Sequence, residues 1–356
     1  MNRTRLITLA SLAALAALAA PLHAQAQGNV TVYGILDVLM EHRTAMDAAG
    51  NGRSALSSGG LNTSRWGLRG SEDLGSGLKA VFNLESEIAM DTGATGSALF
   101  GRQANVGLEG GWGRLVGGRS YSTTYDFLLP FDPMGYAPFY SWATSGGAIA
   151  TNARKDGMVT GVSNLLKYQG TFGPLKLGAS YGFGEVTGAA NAGRFAALGG
   201  TYTAGPFAAT VVVDQRNGAT VTAGAYDKEK ALHVAATYDL QPVKLFLGQR
   251  RYKREIATGG DAKSTMSWIG AGWSVTPVIE LTAAFYKQDI KSGVSGTDDP
   301  KLLSLRGTYA LSKRTRLYAV AGRATSKDGG LVSVSRDDNG FRDAQTGYGL
   351  GIQHRF

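Results

Sequence analysis

From residue 30 onward, apolar side chains alternate with polar or small ones in segments of about ten residues. In one such segment Leu281, Ala283 and Phe285 alternate with Glu280 and Thr282. Successive side chains of a β-strand point to opposite faces, so a period of two indicates strands with one apolar and one polar face. The pattern therefore predicts an all-β protein.

The connectors between these segments alternate in length. Short connectors with turn residues, such as 172–174 and 275–277, contrast with long polar ones, such as 290–300 and 326–344. Outer-membrane barrels combine short periplasmic turns with long extracellular loops. With about sixteen strands, the sequence predicts a 16-stranded antiparallel transmembrane β-barrel with a water-filled lumen. A soluble β-sandwich would also alternate, but it fits poorly because no linker or composition shift divides the chain.

The start of the chain has the features of an export signal. Two arginines precede an apolar stretch at 6–20, and an Ala-x-Ala motif follows it. This order is typical of a secretory signal peptide, and the stretch is short for a transmembrane helix. We expect residues 1–26 to be removed after Ala26, and residues 27–356 to form one barrel domain in the cell outer membrane.

Composition narrows the possible chemistry. Glycine makes up 51 of 356 residues, about twice its ordinary share, which favours strands with many tight turns. Cysteine is absent, so neither a disulfide nor a thiolate metal site can form, and we expect no cofactor. The formal net charge of +9 is spread along the chain of an exported protein, which argues against a nucleic-acid partner.

The sequence gives little support to catalysis. The four histidines, His23, His42, His233 and His354, lie apart from any H-E-x-x-H motif or nucleophile elbow. We therefore expect a protein that is not an enzyme. A barrel phospholipase or protease, a barrel adhesin and a barrel channel with a saturable solute site stay open as alternatives.

The last strand carries a further signal. Tyr348, Leu350, Ile352 and the terminal Phe356 share one face. A terminal phenylalanine on such a strand looks like the end signature of outer-membrane barrels. We therefore expect Phe356 to be recognised by the barrel-assembly machinery.

Several motifs resemble those of a known family. They are VTVYGILD at 30–37, SRWGLRGSEDL at 64–74, LKAVFNLE at 78–85, GRQANVGL at 101–108, GGR at 117–119 and the terminal strand. On these motifs the chain resembles the trimeric general porins of β-proteobacteria, of the neisserial and burkholderial type. Between residues 168 and 325 the likeness is one of architecture.

The resemblance implies an outer-membrane channel for passive diffusion of small hydrophilic solutes and ions. It also implies a homotrimer in outer-membrane lipid and lipopolysaccharide, with a third extracellular loop folded into the barrel. Residues 122–161 are the expected constriction loop: they are rich in aromatics, and a loop of this length needs packing of its own. An outward lid or adhesive loop is the alternative.

The resemblance also implies a constriction with basic wall residues opposite acidic loop residues. The wall candidates are Arg65, Arg102 and Arg119, with Arg69 deeper on the same face as Arg65, and the loop candidates are Asp126 and Asp132. Arginine stays charged and pairs with carboxylates or phosphates, so such a ring favours anions. We therefore expect weak anion selectivity.

Two features depart from this pattern. The family has a further wall arginine where this chain has Gly161, although Arg154 and Lys155 are close in sequence. Alternation groups Arg102 with the apolar face of its strand, so its inward placement rests on the resemblance, and a bulge could accommodate it. For each arginine the alternative is ordinary solvation of a water-facing surface.

Overall fold

The computed structural model describes residues 29–144, 157–222, 224–292, 299–327, 330–338 and 340–356. The expected signal peptide, Arg154 and Lys155 lie outside these residues. The elements within the described part of the chain are, in order, β1 (Asn29–Arg43), β2 (Arg53–Ser58), β3 (Arg65–Gly75), β4 (Leu78–Glu87), β5 (Gln103–Gly110), β6 (Gly113–Tyr121), α1 (Thr123–Leu128), a 3-10 turn (Leu129–Phe131), β7 (Gly161–Phe172), β8 (Leu175–Gly182), β9 (Phe195–Ala204), β10 (Phe207–Asn217), β11 (Lys228–Asp239), β12 (Val243–Glu255), β13 (Asp261–Ser274), β14 (Ile279–Ser292), β15 (Lys301–Ala310), β16 (Thr315–Thr325) and β17 (Ala344–Arg355).

The strands form one closed antiparallel sheet. From β3 to β17 each strand pairs with the next, and β17 pairs with β1. Both β2 and β3 pair with β1, since Ser58 lies opposite Val38 and Arg65 lies opposite Ile35. They are the two halves of one barrel strand, interrupted at 59–64. The 17 described segments therefore make 16 barrel strands, and the predicted 16-stranded antiparallel β-barrel is confirmed.

The interruption at 59–64 is held by Asp37, which is fully buried. Its carboxylate accepts hydrogen bonds from the backbone N–H groups of residues 60–62 at 2.9–3.0 Å and from the Tyr318 hydroxyl at 2.5 Å. A Cβ at Gly60 would lie 2.1 Å from that hydroxyl, so the bend needs glycine. These bonds satisfy both the buried charge and the backbone that leaves the ladder.

The apolar face of the strands points outward. Val106, Leu247 and Leu350 are at least 60% exposed, whereas the neighbouring Asn105 and Gln353 are buried. An apolar exterior and a polar interior are the arrangement expected of a barrel in a bilayer. The described residues contain no helix that is long and apolar enough to span a membrane.

The main hydrophobic cluster lies inside the barrel, between the wall and the segment that joins β6 to β7. Its buried members include Leu128, Met134, Tyr140 and Trp142 of that segment, and Trp268, Tyr286, Leu302 and Tyr318 of the wall. The same wall strands expose their alternate side chains, such as Ile269 and Phe285, on the outside. The segment therefore packs on the lumen face of the strands.

Local features place α1 against the wall. The Ser122 hydroxyl accepts the Tyr125 N–H at 3.0 Å and caps the helix. Phe127 then packs where β8 and β9 have glycine: a Cβ at Gly178 would lie 2.5 Å from its ring, and one at Gly199 3.2 Å. Missing side chains on the wall thus make room for the helix.

The segment between β16 and β17 covers the other end of the constriction loop. The Tyr140 N–H donates to the Val334 carbonyl at 3.0 Å, and the Trp142 indole N–H donates to the Ser333 carbonyl at 3.2 Å. Both bonds are buried, so the segment between β6 and β7 and the segment between β16 and β17 share one interior core.

Candidate pore constriction

Arg65 and Arg102 meet at Glu85 on the lumen face of the wall. Arg102 Nε lies 2.9 Å from Glu85 Oε1, and Arg65 Nη1 lies 3.9 Å from the same atom. The Tyr121 hydroxyl donates to Glu85 Oε1 at 2.6 Å and accepts from Arg102 Nη2 at 2.5 Å. Glu85 therefore joins two guanidinium groups, and Glu87 Oε2 lies 3.4 Å from Arg102 Nη1 as a second carboxylate of this cluster.

Arg102 reaches this cluster from a bend rather than from a strand. It precedes β5, which begins at Gln103, and its backbone N–H donates to the Glu85 carbonyl at 3.2 Å. The period-two alternation that would turn the side chain outward starts only after it. The bend does what the sequence argument expected of a bulge.

Arg69 is connected to the same cluster through an aromatic ring. Its guanidinium carbon lies 5.0 Å from the centroid of Tyr33, a cation–π distance. The Tyr33 hydroxyl oxygen lies within hydrogen-bond distance of two acceptors, Asn83 Oδ1 at 2.8 Å and Glu85 Oε2 at 2.9 Å. Arg69 itself is exposed, so it adds positive charge to the lumen wall.

Arg119 lies apart from the other wall candidates. Its guanidinium donates to the Gly101 carbonyl and, at 2.7 Å, to the Ser163 hydroxyl. It sits at a register shift between Gly118 and Ser120, and it pairs with Ala104, which follows the outward parity of its strand. The described contacts therefore do not join Arg119 to Glu85.

Both loop acids, Asp126 and Asp132, accept hydrogen bonds from neighbouring side chains. Asp126 accepts hydrogen bonds from Lys167 Nζ at 2.8 Å and from Gln169 Nε2 at 2.7 Å. Asp132 is 4% exposed and accepts from the hydroxyl groups of Tyr286 at 2.5 Å and Ser141 at 2.8 Å. The first acid forms an ion pair with the wall, and the second anchors the loop.

The loop touches the arginines through tyrosines. Tyr125 stacks on Tyr121 with ring centroids 4.4 Å apart, and Tyr136 packs against Tyr125 at 5.0 Å. Burial and the nearby Asp132 raise the pKa of Tyr136 well above its ordinary value, so this hydroxyl stays neutral. The described loop therefore presents neutral aromatic groups to the wall here.

The described residues give little structural support for a catalytic or a metal site. The pattern G-x-S-x-G occurs at 178–182, but Ser180 lies within β8 and not on a strand-to-helix turn, which is the geometry that exposes a nucleophile. Within the described residues, no three His, Cys, Asp or Glu side chains come together as a metal site. The chemistry that the arrangement supports is electrostatic.

A closed 16-stranded barrel with this interior also matches a known family. The model of the Gram-negative porin family matches residues 11–329. The chain belongs to the Gram-negative porins. This porin is accordingly a passive channel of the cell outer membrane, and the family resemblance seen in its motifs is confirmed.

Known relatives agree with this membership. The porin is 34% identical to outer membrane porin protein 32 of Delftia acidovorans over 94% of this chain and 95% of the relative. It is 26% identical to the major outer membrane protein P.IB of Neisseria meningitidis serogroup B over 95% and 97%. A solved structure, the anion-selective porin from Comamonas acidovorans, is 30% identical, with a TM-score of 0.81, and the match covers 92% of this chain and all of that one.

The structure adds two arginines that the sequence argument did not select. Arg65 and Arg355 flank Ile35 on the two sides of β1, and Arg316 lies opposite Gln353. Arg355 interacts electrostatically with both Arg65 and Arg316. Alternation could have found Arg355, since Ile352 and Phe356 were assigned to the outward face. We call Arg65, Arg69, Arg102, Arg316 and Arg355 the arginine wall.

Lys167 is a further residue that the sequence argument passed over. It lies in β7, six residues after Gly161, and its Nζ donates to Asp126 of the loop and, at 3.0 Å, to the carbonyl of Tyr121 at the end of β6. Its neighbour Leu166 is 46% exposed on the outside, so alternation places Lys167 in the lumen. The strand that lacks the expected arginine thus still presents a cation to the lumen.

Proposed function

We propose that this porin is a general diffusion pore for small hydrophilic solutes with a weak preference for anions, set by the arginine wall. The observation that supports this most is the unequal state of the lumen charges. Five arginines share this part of the described wall with three carboxylates, those of Asp37, Glu85 and Glu87, while the loop acids have partners of their own.

The sign of the selectivity follows from this balance. An ion pair such as Lys167–Asp126, at 2.8 Å, has little net field a few ångströms away. A surplus of guanidinium groups raises the local concentration of anions in a narrow wet section. The 30% identical solved porin that is described as anion-selective supports the same sign.

The test is the zero-current potential in a salt gradient across a planar bilayer. The double variant Arg65→Gln/Arg102→Gln should move the reversal potential towards cation preference relative to the parent. The shift should be large at about 0.1 M salt and small at about 1 M, because the Debye length falls from ~10 Å to ~3 Å. The matched control Lys313→Gln/Arg314→Gln removes two charges from an exposed turn and should leave the potential unchanged.

The contrary result is simple to recognise. If the folded Arg65/Arg102 double variant keeps the reversal potential of the parent at low salt, the arginine wall does not set selectivity. A current that saturates with solute concentration would instead favour a porin with a binding site.

We propose further that the mature chain begins at Gln27 and forms a homotrimer whose contact is the wall of β1, β2 and β17. Met40, Leu56 and Leu350 are 57–63% exposed there and lie in register. Phe356 covers Gly34 beside this wall, where the assembly machinery would meet it. Native mass measurement checks both claims: a monomer, or another N-terminal residue, would contradict them. Lipid and lipopolysaccharide would surround the rest.

A further inference from the structure

The outward face of the barrel carries an uneven distribution of charge. At the ends of β11 to β14 nearest the long loops, several cations share the outward parity of their strands, and five of them line one groove. They are Lys230, Arg251, Lys253, Lys263 and Lys291. Pairing places Lys230 opposite Lys253 and Lys253 opposite Lys263, with Lys291 opposite Lys263, so the four lysines form a row across four strands. We call these five residues the basic row.

Carboxylates neutralise the basic row only in part. Glu255 lies 3.2 Å from Lys230 and 3.1 Å from Lys253, and Asp261 lies 3.2 Å from Lys253. Asp289 lies 3.5 Å from Lys291. Five cations thus share three carboxylates, those of Glu255, Asp261 and Asp289.

Arg251 and Lys263 are the members of the basic row whose positive charge is least compensated by the carboxylates named above. Arg251 donates to the amide oxygen of Gln249 at 2.9 Å, a neutral partner, so this bond leaves its charge uncompensated. The Lys263 side chain is 54% exposed, and its Nζ lies 3.8 Å from Asp261 Oδ2, which is a long distance for an ion pair. The row therefore has positive charge left over for an anionic ligand.

Below the row lies an apolar surface. A groove of about 870 Å³ joins the basic row to Leu198, Val213 and Leu232, which are 37–62% exposed. Further down the same strands, Leu247 and Ile269 are 60% and 58% exposed. Four residues separate Arg251 from Leu247, about 13 Å along a strand. The groove is thus basic at one end and apolar along the rest.

The opposite wall lacks this character. At the same end of β1, β2 and β17, the outward residues in register are His42, Ser54 and Tyr348, and the first and last are in ring contact at 5.6 Å. Further outward cations follow at Lys287, Lys301 and Arg323, so within the described residues the basic surface runs from β11 to β16 and does not include the β1–β2–β17 wall. A local ligand explains a one-sided row better than solubility does.

We propose that the basic row and the groove below it form a binding site for the phosphorylated glucosamine headgroup of lipid A, with its acyl chains along Leu232, Val213 and Leu198. The proposal rests on the outer-membrane orientation of the porin, which puts the long loops and the row at the lipopolysaccharide leaflet. Lysine and arginine side chains bind phosphate, and each basic residue near an anionic lipid surface adds to the attraction. The β11–β14 wall then faces lipid, and the β1–β2–β17 wall is left for other subunits.

The test compares lipid A binding to purified folded porin by native mass spectrometry in detergent. The variant Arg251→Gln/Lys263→Gln/Lys291→Gln should bind bisphosphorylated lipid A roughly tenfold more weakly than the parent, or worse. The charge-conserving variant Arg251→Lys/Lys263→Arg/Lys291→Arg should bind like the parent. The control Arg114→Gln/Lys313→Gln/Arg314→Gln loses three charges at periplasmic turns and should also bind like the parent.

Binding measured with different ligands distinguishes lipid A from free phosphate as the source of the phosphate group. Monophosphorylated lipid A should bind the parent more weakly than the bisphosphorylated form, and inorganic phosphate should compete poorly because it lacks acyl chains. Equal binding of the charge-neutralised and parent proteins, or full competition by inorganic phosphate, would overturn the proposal.

Channel conductance keeps this proposal separate from the proposed function. The charge-neutralised variant should conduct with the selectivity of the parent, since its substitutions lie on the outside of the barrel. Loss of lipid A binding with unchanged conductance supports the site. An altered reversal potential in this variant would mean that the row acts on the pore, and it would contradict the placement.

Discussion

The arginine wall differs from a second group of charged residues, Asp132 and Arg306 with their partners, which we call the loop anchor. Both groups contain buried or partly buried charges, but the number of partners per charge differs. In the loop anchor, the buried Asp132 accepts several donors, and Arg306 donates to the Met134 and Pro133 carbonyls at 3.2 Å. In the arginine wall, several guanidinium groups share few carboxylates, and Arg69 stays exposed. Residue type alone therefore does not assign a lumen charge to permeation. The number and geometry of its partners do, because a charge with a full set of partners contributes to folding and little to the field in the pore.

The largest effect on this comparison should come from Asp132→Ala. It leaves the Tyr286 and Ser141 hydroxyls and the Tyr136 N–H, which donates at 2.7 Å, without their buried acceptor. We expect the free energy of unfolding to fall by about 3 kcal/mol or more. The loss of the heat-resistant folded band on electrophoresis measures it. The control Asp47→Ala removes an exposed loop acid and should have a much smaller effect. Equal melting of the Asp132 variant and the parent would show that Asp132 does not anchor the loop.

Tyr286→Phe should weaken the same anchor by less. It removes one donor to Asp132 and keeps the ring within the core. We expect a loss of roughly 1–2 kcal/mol with no change in reversal potential. Tyr348→Phe, on the exposed outer face, is the matched control. A shift in selectivity without a loss of stability would show that this region acts on ions after all.

Asp126→Asn sharpens the other side of the comparison. It removes the carboxylate that pairs with Lys167 and so adds one uncompensated cation to the lumen. The reversal potential at low salt should move towards anion preference, by less than the opposite shift of the Arg65/Arg102 double variant. Asp239→Asn, at an exposed turn, should leave the potential unchanged. A movement towards cations would contradict the charge balance proposed here.

The smallest effect is expected from Arg119→Gln. Its guanidinium bonds to Gly101 and Ser163, away from Glu85, so its field in the lumen should be weak. We expect a shift in reversal potential well below that of Arg65→Gln, measured in the same bilayer. An equal shift from the two single variants would place Arg119 in the constriction with Arg65.

Several site residues were within reach of sequence reasoning, for a definite reason. Alternation assigns a face to each position inside a strand, so Arg65 and Arg69 were placed together, and Lys167 and Arg355 could have been. Arg102 was harder because it lies just outside a strand, where no period applies. Its position depends on the bend before β5.

The role of the loop acids could not be read in the same way. Asp132 bonds to Tyr286, which is 154 residues away, and Asp126 bonds to Lys167, which is 41 residues away. The spacing of these residues in the sequence does not predict either contact. Only the path of the loop through the barrel brings them together.

The barrel follows from local pattern alone. Period-two alternation and alternating connector lengths predict strands with an apolar outward face, and in a bilayer every backbone group of such strands must be paired within a closed sheet. Which charges remain for solutes depends on long-range contacts. That outcome depends on contacts such as Asp132–Tyr286 and Arg65–Glu85, which join distant parts of the chain. Local pattern fixes the face on which a side chain lies, but its hydrogen-bond and ion-pair partners depend on the closed barrel and its inner loop.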